Sequence, residues 1–200
     1  MCVILVCPPD VRPSRQILEA CHRANPHGAG VAWRGKNFVH WTKDLYPDDL
    51  AELLPQLEGE VVIHFRLASV GGPHPRLCHP FPITKTASTA LWGSTRKLLF
   101  HNGTWPDYAE KLRFLGETCG RKITGRLNDS RTMALLLHQI GSYYPLKRAG
   151  GRWVIFTPKE TRRFGDWQEW GGIHFSNLNF TYQLERSTRH HAWLREVEEA

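Results

Sequence analysis

The sequence predicts an α+β layered fold. Three observations carry that expectation. Apolar segments follow one another as β, α, ββ, α, β, loop, β, α, α, ββ(β). Several strands are joined by short turns, which disfavours a regular parallel βαβ sheet. The composition, 41% hydrophobic and 22% charged over 200 residues, is that of a globular chain with enough apolar residues for a core. Its length suits one domain over residues 1–200.

Residues 2–6 read as a buried strand. Pro13 and Ser14 open a helix with Ile17, Leu18 and Cys21 on one face, and Asn25-Pro26 stops it. Strands follow at Gly30–Arg34 and Asn37–Thr42, joined at Gly35-Lys36. Pro47-Asp48-Asp49 starts a helix whose Leu50, Leu53, Leu54 and Leu57 form an apolar stripe. Glu60–Arg66 is a strand rich in β-branched residues. Residues 67–96, rich in Pro, Gly, Ser and Thr, read as irregular, a length usually kept for function. Lys97–His101 is a strand and Pro106–Leu115 a helix. Asn128-Asp129-Ser130 caps a helix with Met133, Leu136, Leu137 and Ile140 on its core face and Gly141 past its end. Strands at Trp153–Thr157, Thr161–Phe164 and Gly172–Asn177 precede a terminal helix capped by Ser187 and carrying Trp193, Leu194 and Val197.

Charge and cysteines narrow the function classes. No apolar run approaches the roughly 20 residues of a membrane-spanning helix. The start, Met1 to Cys7, lacks the basic region of a signal peptide. The five cysteines are odd in number and irregularly spaced, which argues for a reducing, cytoplasmic setting. The net charge of +7 invites an anionic partner.

Four positions offer chemistry. If Met1 is removed, Cys2 carries both a thiol and a free α-amine, which titrates near about 8 and can serve as base. By position alone Cys2 is equally a buried strand residue. The Asn102 amide and the Gly103 N–H, just past a strand, can bind an oxyanion; the plainer reading is a turn. Arg66 ends a strand and offers a planar fork to a carboxylate. Asp129, at a helix start, is by default a cap.

In their order these residues resemble the glutaminase domain of class II glutamine amidotransferases, which are N-terminal-nucleophile hydrolases, and among them the compact stand-alone bacterial type. The resemblance rests on Met1-Cys2, the run Asn25-Pro26-His27-Gly28 through Ala32, His64-Phe65-Arg66 through Gly71, Cys78-His79-Pro80-Phe81, Phe100-His101-Asn102-Gly103 and Asn128-Asp129-Ser130. It covers roughly residues 2–140 and implies a four-layer αββα sandwich. It further implies that Cys2 attacks the side-chain amide of glutamine or a γ-glutamyl compound through a thioester, and that Asn102 and Gly103 hold the oxyanion. Arg66 would clamp the substrate carboxylate and Asp129 its ammonium. Ser69 would sit beside the substrate, Gly71-Gly72 would belong to a closing loop, and His79 and His101 would be structural. No cofactor or metal is implied, and ammonia would pass, if at all, to a synthase subunit on another chain. Leu67, Asn128 and the 82–96 loop depart from the family pattern, which bears on the amide substrate more than on the nucleophile.

Two other readings compete. A metal site assembled from His74, Cys78 and His79 with Cys2, Cys7, Cys21 or His22 lacks any tight ligand pair, so no metal is expected. A single-stranded nucleic-acid-binding module would use Arg152-Trp153 and Thr161-Arg162-Arg163-Phe164. The amidohydrolase reading is preferred over it, with a small molecule rather than nucleic acid as partner.

Overall fold

A computed structural model describes residues 1–120 and 122–186. In chain order the elements are β1 (Val3–Cys7), α1 (Arg15–Ala24), β2 (Ala29–Arg34), β3 (Val39–Leu45), α2 (Pro47–Leu53), β4 (Val61–Phe65), β5 (Phe81–Pro82), β6 (Trp92–Thr95), β7 (Leu98–Asn102), α3 (Tyr108–Arg113), α4 (Asp129–Ile140), α5 (Tyr144–Arg148), β8 (Arg152–Phe156), β9 (Thr161–Phe164), β10 (Gln168–Trp170) and β11 (Ile173–Phe175). They form a mixed α/β fold around two antiparallel sheets. One runs β10-β11-β1-β4-β2-β3-β6 and the other β5-β7-β8-β9.

Alternation along the strands sorts side chains into three apolar clusters. Val3, Leu5 and Cys7 of β1 join Leu18 and Cys21 of α1 and Leu50 of α2. Ile4 and Val6 point the other way, into a cluster with Leu98, Phe100, Val154 and Phe156 of the second sheet. That sheet turns Leu99, Trp153 and Ile155 toward Met133 and Leu137 of α4.

Local signals account for most boundaries. The Ser14 hydroxyl accepts from the Ile17 N–H to cap α1, and Asn25 closes it. The stripe on α2 is cut short: the helix ends at Leu53 and tightens into a 3₁₀ turn over Leu54–Gln56, because Pro55 has no N–H to donate and its ring clashes with the preceding turn. Leu57 is only half-buried. Ile140, expected on the core face of α4, is 49% exposed in the last turn. The stretch 67–96 is less irregular than its composition suggests, holding a 3₁₀ turn (Pro75–Leu77), β5 and β6. Both α5 and β10 are additions to the expected order. The terminal helix expected from Ser187 onward lies outside the described residues. No helix of the described residues is long and apolar enough to cross a membrane, and all five cysteines are free.

Candidate active site

The start of β1, the end of β4, the end of β7 and the first turn of α4 meet at one end of the two sheets. Cys2, Arg66, Ser69, Gly103 and Asp129 line a single pocket there, together with Leu67, Val70, His79, His101, Asn128 and Ser130. Asn102 is fully buried behind it. The fold thus brings the sequence-derived candidates to one place.

Cys2 is held by backbone. Its sulfur accepts from the Leu67 N–H at 3.3 Å, and its S–H lies 3.4 Å from the Leu67 carbonyl. Burial pushes the thiol pKa up from its ordinary value, against the opposing pull of the Leu67 hydrogen bond and the Arg66 charge. Such a thiol stays protonated at neutral pH and needs a base within reach to become a nucleophile. The preceding residue, Met1, is 60% exposed, so the core does not depend on it.

Arg66 continues from β4, which is paired to β1 and β2 on its two sides. Its N–H donates to the Gly28 carbonyl and its own carbonyl accepts from the His27 N–H. The His27 ring nitrogen Nδ1 accepts from the Ala68 N–H at 2.9 Å. The His27-Gly28 step therefore braces the Arg66 backbone. Gly28 has φ +95°, and a Cβ there would stand 2.9 Å from the Cys78 sulfur. The Arg66 side chain is 3% exposed. Its Nη2 donates to the Val70 carbonyl at 3.1 Å, while its Nη1 is buried without a partner.

Asn102 ends β7. Its amide nitrogen donates to the Ser176 hydroxyl at 2.9 Å, and its Oδ1 is buried without a partner. Gly103 has φ +149°; a Cβ there would press on the His101 ring at 3.0 Å and on Gly151 at 3.2 Å. Asp129 is not the cap of α4. Asn128 is, accepting from the Arg131 N–H at 2.8 Å. Asp129 instead turns inward, accepting from the Trp105 N–H at 3.0 Å and from the Ser130 N–H and hydroxyl. Burial raises its carboxyl pKa from the usual range, and these bonds oppose the shift.

The 67–72 loop forms one side of the site. Ser69 is exposed, and its hydroxyl accepts from that of Thr104 at 3.3 Å. That bond and the one from Arg66 to the Val70 carbonyl hold the loop beside the pocket, whose volume of about 20 Å³ suits one water. Gly71 (φ +80°) approaches the Leu127 carbonyl so closely that a Cβ would lie 2.7 Å from it.

Three buried histidines pack here, His79 and His101 lining the pocket and His64 beside them. His64 and His79 are in ring contact at 4.1 Å, and His101 stacks on Trp153 at 3.5 Å. Burial pushes His64 and His101 down to about 3, and His79 well below its ordinary value. All three are neutral packing groups at pH 7. The His64 Nε2–H donates to the His101 carbonyl, and His101 Nδ1 meets the Ser130 hydroxyl at 3.0 Å.

The same fold is found in solved amidotransferases. Glutamine phosphoribosylpyrophosphate amidotransferase from B. subtilis aligns with a TM-score of 0.58 and 15% identity, over 88% of this chain and 41% of its own. A structure described as the allosteric regulatory enzyme of purine biosynthesis aligns with a TM-score of 0.58 and 17% identity over the same shares. The chain shares their fold. It spans less than half the length of either. No protein-family model matches the sequence, and no curated protein matches it.

Two residues at the site carry no sequence signal. Ser176 and Asn177 follow β11; Asn177 donates from Nδ2 to the Cys2 carbonyl at 2.7 Å, and Ser176 meets Asn102. Only a polar pair after a strand marks them. Of the basic and aromatic stretches, Trp153 is fully buried, while the exposed Arg162 pairs with Glu160 and the exposed Arg163 lies over Trp167. No group of three or more His, Cys, Asp or Glu side chains among the described residues could hold a metal ion.

Proposed function

We propose that this chain is a glutamine amidotransferase-type amidohydrolase with Cys2 as N-terminal nucleophile. The observation that carries the proposal is the convergence of a backbone-held thiol, a buried guanidinium with a free Nη1, and an inward-facing carboxylate around one small pocket. The three apolar clusters and the fold shared with amidotransferases support the four-layer αββα reading as well.

In this mechanism Met1 is removed and the Cys2 nitrogen becomes an amine. The 67–72 loop opens, and glutamine or a γ-glutamyl compound enters with its α-carboxylate on Arg66, displacing the Val70 carbonyl. Asp129 takes the α-ammonium on its remaining acceptor capacity, and Ser69 lies at the rim. The amine accepts the thiol proton, and the sulfur attacks the side-chain amide carbon. The carbonyl oxygen becomes an oxyanion bound by the Asn102 amide and the Gly103 N–H. The C–N bond breaks as the Cys2 ammonium gives its proton to the departing nitrogen, leaving a thioester and free ammonia or amine. Water, deprotonated by the Cys2 amine, then attacks the thioester and releases the γ-carboxylate and the thiol. The chemistry uses no cofactor, and the ammonia is available to water or to an acceptor subunit.

Ammonia release from glutamine and from γ-glutamyl amides is the test. Wild type turns over at least one of them, and Cys2→Ala turns over none. Equal release by the two proteins rejects the proposal.

A further inference from the structure

We propose that Ser176 is a positioning residue that sets which end of the Asn102 amide faces the reaction. The inference rests on the oxyanion role given to Asn102 above, and it comes from a polar imbalance at the end of β11.

The Ser176 hydroxyl accepts two N–H groups, from Ile4 at 2.8 Å and from Asn102 Nδ2 at 2.9 Å. Its own hydrogen has no acceptor among the described residues, while Asn102 Oδ1 is buried without a partner. A buried acceptor without a donor next to a hydroxyl without an acceptor is a costly pair of omissions. The oxygen and nitrogen of an asparagine are interchangeable in shape, and the network decides between them. Turning the amide over pairs the Ser176 hydroxyl with Oδ1 and makes the remaining unpaired group a donor instead of an acceptor. Ile4 N–H then donates to Ser176 Oγ, and Ser176 O–H donates to Asn102 Oδ1. Nδ2, with two N–H bonds, takes the free position.

Under the oxyanion role, that position is where the chemistry needs a donor. Cys2 immediately precedes β1, two residues before Ile4, and lines the pocket at that end of the sheets. Phe100 lies on the facing side, in the cluster with Ile4, and Asn102 is two residues further along the same strand. Asn102 is thus on the side of the second sheet that faces Ile4, buried behind the pocket that Cys2 lines, and the oxyanion role given to it assigns its free end to the reaction. An oxygen there would repel a developing oxyanion, whereas Nδ2 would bind it.

Asn177 supplies the contrast. Its Oδ1 accepts from the Asn179 N–H at 3.0 Å, which fixes Nδ2 as the group that donates to the Cys2 carbonyl. The backbone orients Asn177, and Ser176 orients Asn102. Two consecutive residues after β11 therefore hold the nucleophile and the oxyanion donor in register.

Two measurements test this. The first is a neutron structure of the wild-type protein, which distinguishes Oδ1 from Nδ2 without reference to activity. Oδ1 toward Ser176 is expected, and Nδ2 toward Ser176 overturns the inference. The second is a cycle of Ser176→Ala, Asn102→Ala and the double variant, read as kcat and KM for amide hydrolysis. Ser176→Ala is expected to lower kcat about 10- to 100-fold with KM within about twofold, because the oxyanion forms only in the transition state. The double variant is expected to be no slower than Asn102→Ala alone. Multiplying losses, or an unchanged kcat in Ser176→Ala, overturn it. A wild type that hydrolyses no amide rejects the amidohydrolase reading instead, and the neutron result still decides the orientation.

Discussion

Arg66 and Arg131 are almost equally buried, at 3% and 4% exposure, yet their surroundings use them differently. Arg131 uses all three of its nitrogens. Its Nε donates to the Ala87 carbonyl, Nη1 to Arg126 and Nη2 to Thr86, at 2.6 to 3.0 Å. The guanidinium is a staple that fastens the unusual 82–96 segment onto α4. Arg66 has one bond, to a carbonyl of a glycine-rich loop, and a buried Nη1 with none. A buried N–H without a partner calls for an explanation, and the proposed mechanism supplies one in the substrate carboxylate. Under that proposal the two arginines differ in role although burial alone does not separate them.

Substitutions at the two arginines should separate these roles. Arg66→Met is expected to lower kcat/KM by about 1,000-fold, roughly 4 kcal/mol, through loss of a charge-assisted clamp. Its thermal midpoint should stay equal to or above wild type, since an under-paired buried charge is removed. A fall of the midpoint with unchanged kcat/KM would make Arg66 a staple like Arg131. Arg131→Met is expected to cost about 2 kcal/mol in urea unfolding, because the buried Ala87 carbonyl loses its donor and the Thr86 and Arg126 carbonyls lose theirs at the rim. Its folded fraction should keep kcat/KM within about twofold.

Acid should weaken the region behind Arg66 in particular. His64, His79 and His101 are held below their ordinary pKa by burial, so the unfolded chain binds protons from about 6.5 downward while the folded chain does not. Stability is therefore full above the unfolded value and falls as pH drops through the window from 6.5 toward 3. Each histidine contributes about 1.4 kcal/mol per pH unit at full slope. Urea midpoints measured between pH 7 and 4 should show this, and His79→Leu should remove one histidine's share. A flat profile would mean that the rings are protonated in the fold.

The smallest expected effect is in the loop. Gly72 (φ +69°) has nothing within 4 Å of a built Cβ, so Gly72→Ala meets only backbone strain, about 1 kcal/mol. It should change KM a few-fold and leave kcat alone if the loop governs entry. Steady-state kinetics at saturating substrate would expose the opposite pattern.

Much of this was legible in the sequence for identifiable reasons. β1, β4 and β7 are apolar runs between clear turn signals, and α1 and α4 carry their caps at Ser14 and Asn128. Cys2, Arg66, Asn102 and Asp129 each stand at or beside the end of such an element, where each alone has a plainer reading; their order, in its resemblance to a known family, made them site candidates. What stayed hidden depends on distant partners. Asp129 reads as a helix cap until Trp105 is seen to donate to it from another loop. Ser176 and Asn177 are ordinary polar residues until β11 pairs with β1 and brings them beside Asn102 and Cys2. Arg131 carries no reading in the sequence, because its partners Thr86 and Ala87 lie more than forty residues away.

The central claim is that Cys2, freed of Met1, is the nucleophile. Protein from its native host should be treated with a diazoketone analogue of glutamine and its intact mass and peptides determined. The account predicts a chain without Met1 bearing one adduct, located on Cys2 and suppressed by excess glutamine. A catalytically active chain that retains Met1, or an adduct on Cys78 or Cys119 instead, would contradict it.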